Sequence, residues 1–145
     1  MSTLYTIGYE GADVDRVLAA LKNAGVAAVA DVRAVVSSRK RGFSKSALRE
    51  SLEAAGIEYR HFRDLGTPAA GRQAARAGDA AGMRRVFCEQ LATEAAQDAL
   101  GELEQLAANR TTCLLCFCRD PAVCHRRVIA ERLDKGRFRA MDLFG

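Results

Sequence analysis

Three cysteines and a histidine, Cys116, Cys118, Cys124 and His125, share ten residues of the segment Leu114-Leu115-Cys116-Phe117-Cys118-Arg119-Asp120-Pro121-Ala122-Val123-Cys124-His125-Arg126-Arg127. The thiolate is the nucleophilic and metal-binding form of cysteine, and imidazole exchanges its proton near neutrality. Cys116 or Cys124 therefore reads as a nucleophile or ligand contact, with His125 as its proton-transfer partner. The same side chains could hold zinc tetrahedrally. However, C-x-C-x5-C-H is not a familiar finger or ribbon spacing, and the adjacent Cys124 and His125 make an unusual pair for one ion. A phosphatase-type loop needs a cysteine, five residues and then arginine; counted from Cys118, that place holds Cys124. Cys116 and Cys118 could also close a strained redox disulfide, although C-x-C is a weaker signal than C-x-x-C. The plainer reading is that free cysteine packs as a small hydrophobe; it suits Cys88 and Cys113 best.

A second group is basic. Arg33, Arg39, Lys40 and Arg41 lie in a loop with Ser37, Ser38 and Gly42. Arginines there could grip phosphate bidentately, with the lysine adding a point charge; a solvated basic loop is the alternative. Phe43 could stack on a base or pack as a helix-entry staple. His61 alternates with Phe62 on an extended segment, and its plainer reading is a packing histidine.

These residues need elements to position them. Leu4–Ile7 reads as a strand stopped by Gly8. Asp13 can cap a helix carrying Val14, Val17, Leu18 and Leu21 at helical spacing, and Gly25 ends it. Val26–Val32 is an apolar run of strand length. Ser44 can cap a helix through Leu48 and Leu52 that Gly56 ends, and Ile57–Phe62 reads as a third strand. Residues 64–82, with Gly66, Pro68, Gly71, Gly78 and Gly82, read as a long loop of the kind that forms lids or binding loops. Met83–Leu91 is helical, and Thr93 can cap another helix to about Ala108. Thr112–Phe117 is the most apolar strand. Asp120 as cap and Pro121 at the first helical position open a last helix to about Leu133, and Phe138–Leu143 reads as a final strand.

The order β-α-β-α-β-α-α-β-α-β predicts one α/β domain over residues 1–145. It would be a three-layer, Rossmann-like arrangement: a mostly parallel sheet of about five strands with helices on both faces. In such sheets ligands bind at the carboxyl ends of the strands. Gly8, Tyr9 and Glu10 fall there, as do Asp31 and Arg33, Arg63 and Asp64, and Cys116, Cys118 and Arg119. The start of the following helix would add free N–H groups and a partial positive charge.

Bulk properties set the class. Hydrophobic residues make up 49% and charged residues 28%, a globular balance, and the net charge of +4 permits an anionic partner without requiring one. There is no apolar run of membrane-spanning length, and the start lacks the basic and apolar regions of a signal peptide. Five cysteines, three of them crowded together, suit free thiols in the cytoplasm better than a secreted disulfide framework.

At these motifs the sequence resembles the domain-of-unknown-function family 488. Tyr5-Thr6-Ile7-Gly8-Tyr9 is similar to the family's opening, usually T-I-G-H-S. Asp31-Val32-Arg33 with Ser38-Arg39 and Gly42-Phe43 resembles its D-V-R…S-R…G-F pattern, and Ile57-Glu58-Tyr59 with Leu65-Gly66 its G-I-x-Y…L-G block. Leu114-Leu115-Cys116 and Cys124-His125-Arg126 resemble its L-L-C-x-E…C-H-R signature. Two positions depart: Val36 stands where the family often has proline, and Cys118 where L-L-C-x-E has its acidic residue. The resemblance implies the fold and implies that Asp31, Arg33, Arg39, Cys116, Cys124, His125 and Arg126 belong to one site.

The leading expectation is therefore a thiol-containing site, without cofactor or metal, that binds a small anionic or nucleotide-like ligand and can act on it. Arg33, Arg39 and Arg126 would hold negative charge, Asp31 would orient an arginine, and Gly8, Tyr9 and Cys118 would border the ligand. Two rivals stand beside it: a non-enzymatic nucleic-acid-binding module using the Arg39–Arg41 loop, and a structural zinc domain.

Overall fold

The computed structural model describes residues 2–121, 124–133 and 137–145. The elements run β1 (Ser2–Gly8), α1 (Val14–Asn23), β2 (Ala28–Asp31), α2 (Lys45–Ala54), β3 (Glu58–His61), a 3-10 turn (Arg63–Leu65), α3 (Ala69–Arg76), α4 (Ala80–Leu91), α5 (Glu94–Asn109), β4 (Thr112–Cys116), α6 (His125–Leu133) and β5 (Phe138–Phe144). All strands pair in parallel in the order β3-β2-β4-β1-β5. The protein is thus α/β with a Rossmann-like three-layer build.

Alternation along the strands divides the core in two. Leu114 and Cys116 of β4 point to one side, with Leu4, Ala30 and residues of α4, α5 and α6 such as Phe87, Leu103 and Ile129. Cys113 and Leu115 point to the other, with Ile7, Val29 and the α1 and α2 residues Val17, Leu21, Leu48 and Leu52. Each fully buried leucine here stabilises the fold by about 2 kcal/mol. The helix after β1 covers one face and the helix after β4 covers the other. Neighbouring strands with opposed connections open a crevice at their carboxyl ends, and β4 ends there on Cys116.

Several local details differ from the sequence reading. Residues 64–82 are largely helical, holding the 3-10 turn, α3 and the start of α4. Gly71 and Gly82 sit inside helices because neighbours press on them: a Cβ would lie 2.4 Å from Thr67 Cγ2 and 2.2 Å from Asp79 Oδ2, respectively. Asp79 caps α4 by accepting from Gly82 N at 2.8 Å. Helix α6 starts at His125 rather than Pro121, because the chain first makes a turn in which Cys124 N donates to Pro121 O at 3.2 Å. Ala122 and Val123, within the expected helix, lie outside the described residues. Phe117 falls beyond β4 and is half exposed. Ser44 holds the cap position of α2, but its hydroxyl makes no cap bond. Among the described residues no helix is long and apolar enough to cross a membrane.

Candidate functional site

The end of β4 and the start of α6 bring the sulfur atoms together. Cys116 is the last residue of β4, Cys118 lies in the following turn, and Cys124 directly precedes α6. Cys116 and Cys124 are buried, whereas Cys118 is half-buried. The Cys116 and Cys124 sulfurs and a His125 ring nitrogen lie within 4.8 Å of one another, and the Cys116 thiol donates to Cys118 O at 3.9 Å. Burial alone would raise the Cys124 pKa; the neighbouring Cys116 and Cys118 thiols and the Arg126 charge override it and hold Cys124 well below the ordinary thiol value. Cys116 goes the other way, pushed well up by burial and by its Cys118 and Cys124 neighbours. For Cys118 the nearby Cys116 lowers the pKa, but Cys124 and partial burial outweigh it and the net shift is upward. The trio therefore favours a thiolate at Cys124 and thiols at Cys116 and Cys118.

His125 opens α6 with its ring edge-on to Phe87, the centroids 4.9 Å apart. Its Nε2 lies 2.7 Å from Val32 O. A carbonyl can only accept, so Nε2 carries the proton and Nδ1 keeps its lone pair. That lone pair faces Cys124 Sγ at 3.7 Å. Burial lowers the His125 pKa, against the Val32 bond that would raise it, so the imidazole is held neutral.

Arg126 organises this cluster from within. The guanidinium is fully buried; Nε donates to Cys116 Sγ at 3.2 Å, Nη1 to Thr6 Oγ1 at 2.6 Å, and Nη2 to the carbonyls of Cys118 and Arg119 at 2.7 and 3.0 Å. Burial would lower its pKa, but the neighbouring sulfurs Cys116 and Cys124 raise it. With its N–H groups spent internally, Arg126 ties down the 118–119 turn and supplies charge to the sulfurs rather than reaching toward a ligand. Gly8 serves the same turn: a Cβ there would lie 1.6 Å from Cys118 O, so only glycine lets the turn pack against β1.

The aspartate and arginine after β2 form a second buried group, on the other face. Asp31 is fully buried and accepts from Arg33 Nε at 2.8 Å, Nη2 at 2.7 Å and backbone N at 3.1 Å, and also from the Tyr59 hydroxyl. Arg33 Nη1 donates to Phe43 O at 2.6 Å and Tyr9 Oη at 3.2 Å. Burial would lower the Arg33 pKa, but Asp31 raises it. Burial, with the bond to Asp31, raises that of Tyr59. His61 Nε2 lies 2.8 Å from Arg33 O, so both histidines support the chain just after β2.

Between these groups opens a cavity of about 500 Å³. Cys116, Cys118, Cys124 and His125 line it, with Arg33, Glu10, Phe117, Thr67 and Met83, and with Arg72 and Arg76 from α3. Arg72 also donates to Thr67 O at 2.9 Å. Tyr9 and Arg39 are not among the lining residues: Tyr9 is buried in a stack on Phe43 with centroids 4.1 Å apart, and Arg39 is exposed on its loop. Phe43 is fully buried and cannot stack on a base. Lys40 turns inward, donating to Tyr9 O at 3.2 Å.

Sequence reasoning passed over Arg72, Arg76, Thr6 and Tyr59. The arginines were legible in principle. Pro68, an alanine-rich stretch with arginines four apart, and Gly78 at φ +79 together mark a short helix. Among the described residues, the donor atoms of Cys116, Cys124 and His125 all lie within 4.8 Å of one another, a set chemically suited to a soft metal ion.

Residues 13–133 match the family described as "Domain of unknown function DUF488". The chain belongs to this DUF488 family. The matched span includes Asp31, Arg33 and the whole Cys/His cluster, and it leaves β1, with Thr6 and Gly8, outside. No curated protein and no solved structure shows significant similarity to the chain.

Proposed function

We propose that this DUF488 protein binds a small anionic or nucleotide-like ligand in the cavity at the end of β4, and that Cys124 acts on it as a nucleophile. The observation that carries this reading is the Cys124 sulfur at a cavity wall, within 4.8 Å of Cys116 Sγ and 3.7 Å from the His125 Nδ1 lone pair. A nucleophilic thiol needs relief of its negative charge and a nearby group to take its proton. The Arg126 charge relieves the thiolate, and the neutral His125 offers Nδ1, 3.7 Å away, as acceptor for the proton of the thiol form. The cavity volume is of the size that encloses small ligands. Arg72 and Arg76 give its α3 wall positive charge that Glu10 only partly offsets.

The metal reading uses the same atoms, since Cys116, Cys124 and His125 are mutually close. The thiol reading is preferred because a positive charge is already built in: Arg126 Nε is 3.2 Å from Cys116 Sγ, and a dication would be set close to that guanidinium.

Isothermal titration with inorganic phosphate and with adenosine monophosphate tests the ligand class. One-site binding that weakens in Arg72→Ala/Arg76→Ala is expected. Absence of binding for both compounds, or binding indifferent to both arginines, would remove the anion-binding half of the proposal.

A further inference from the structure

The site contains two thiols more than a nucleophile needs. Cys118 is half-buried and lines the same cavity as Cys124, and its carbonyl lies 3.9 Å from Cys116 Sγ, itself within 4.8 Å of Cys124 Sγ. We propose that Cys118 is the resolving thiol of a dithiol–disulfide exchange, in which Cys124 attacks a small disulfide bearing carboxylates, held by Arg72 and Arg76. This deepens the reading above and rests on Cys124 as the reacting group.

The chemistry closes without any further oxidant. The Cys124 thiolate attacks one sulfur of the substrate R–S–S–R; that bond breaks, Cys124–S–S–R forms and the first R–S⁻ departs. The Cys118 sulfur then attacks Cys124 Sγ, and the second R–S⁻ leaves, carrying away the Cys118 proton as R–SH. Two electrons have passed from the protein dithiol to the substrate, and a Cys118–Cys124 disulfide remains. The electron source that reopens it is a second dithiol or thiol from solution.

Geometry selects Cys118 over Cys116 for the second step. Cys116 is the last residue of a central strand, fixed by the β-ladder and with its sulfur bonded to Arg126 Nε at 3.2 Å. Cys118 sits beyond the strand, where side-chain rotation can bring its sulfur onto Cys124 without breaking the β-ladder. The substrate class follows from the wall: a disulfide bearing carboxylates meets arginines on α3, whereas one bearing ammonium groups meets like charge.

Reduced full-length protein treated with oxidised glutathione or, separately, with cystamine provides the test, read by peptide mass mapping without reductant. The expected product is an intramolecular Cys118–Cys124 link, formed about tenfold faster with the carboxylate-bearing disulfide, the scale of two partly exposed charge contacts. That preference should vanish in Arg72→Ala/Arg76→Ala. Cys118→Ser, with Cys118→Ala as a second variant should the first fold poorly, should stop at glutathione bound to Cys124. A Cys124 adduct that persists equally in the wild type, or a Cys116–Cys124 link, would overturn the resolving role while leaving Cys124 as the nucleophile. Faster reaction with cystamine would overturn the substrate class. Failure of Cys124 to be modified at all would take the proposed function down as well.

Discussion

Asp31→Asn perturbs the end of β2 at one atom while keeping the shape of the side chain. The native carboxylate accepts from three N–H groups of Arg33, at 2.7, 2.8 and 3.1 Å, and from the Tyr59 hydroxyl. An asparagine keeps one oxygen, turns an NH2 toward donors, and leaves the Arg33 guanidinium, 5% exposed, with no counter-charge. Stranding one partner of a buried pair costs about 3–5 kcal/mol, a large part of the roughly 5–15 kcal/mol that holds a domain together. For a chain of 145 residues that lowers Tm by about 10 °C or more. Urea and thermal unfolding measure it, beside the double variant Asp31→Leu/Arg33→Met, in which neither charge remains. The double variant should be markedly more stable than Asp31→Asn, since it removes both charges. A loss below about 1 kcal/mol for Asp31→Asn, with an unchanged urea slope, would refute the claim that this pair clamps the chain below the cavity.

Gly8→Ala places a methyl carbon 1.6 Å from Cys118 O, so the 118–119 turn must retreat and Arg126 Nη2 loses a partner. Destabilisation of about 1–3 kcal/mol or more in thermal melts, together with slower Cys124 alkylation, is expected; wild-type values for both would show that the close approach carries no weight. Metal analysis of protein purified without chelator should find well under one zinc per chain, and stoichiometric zinc retained through dialysis would transfer Cys116, Cys124 and His125 from nucleophilic chemistry to metal binding.

The strands and most helices were legible because their signals are local. Val14, Val17, Leu18 and Leu21 keep helical spacing between Asp13 and Gly25, and the apolar run Thr112–Phe117 reads as a buried strand, of which β4 keeps all but Phe117. The stretch 64–82 was misread because Gly71 and Gly82 look like turn residues, whereas they are helical positions crowded by Thr67 and Asp79. Both contacts are local, four and three residues apart, and Asp79 capping α4 through Gly82 N was a signal that the glycine-rich composition hid. A different limit applied to the site. The crowding of Cys116, Cys118, Cys124 and His125 showed in the sequence. That Arg126 points into the protein, that Lys40 folds back onto Tyr9 O, and that α3 brings Arg72 and Arg76 to the cavity depend on how distant elements meet.

Alkylation of the folded protein by iodoacetamide across pH, resolved by peptide mapping for each cysteine, tests the thiolate at Cys124 most directly. Cys124 should react with a midpoint well below the ordinary thiol value of about 8.5, and that phase should be missing in Cys124→Ser. Reaction of Cys124 with the pH profile of free cysteine, or resistance of Cys116, Cys118 and Cys124 alike in the folded protein, would contradict the account.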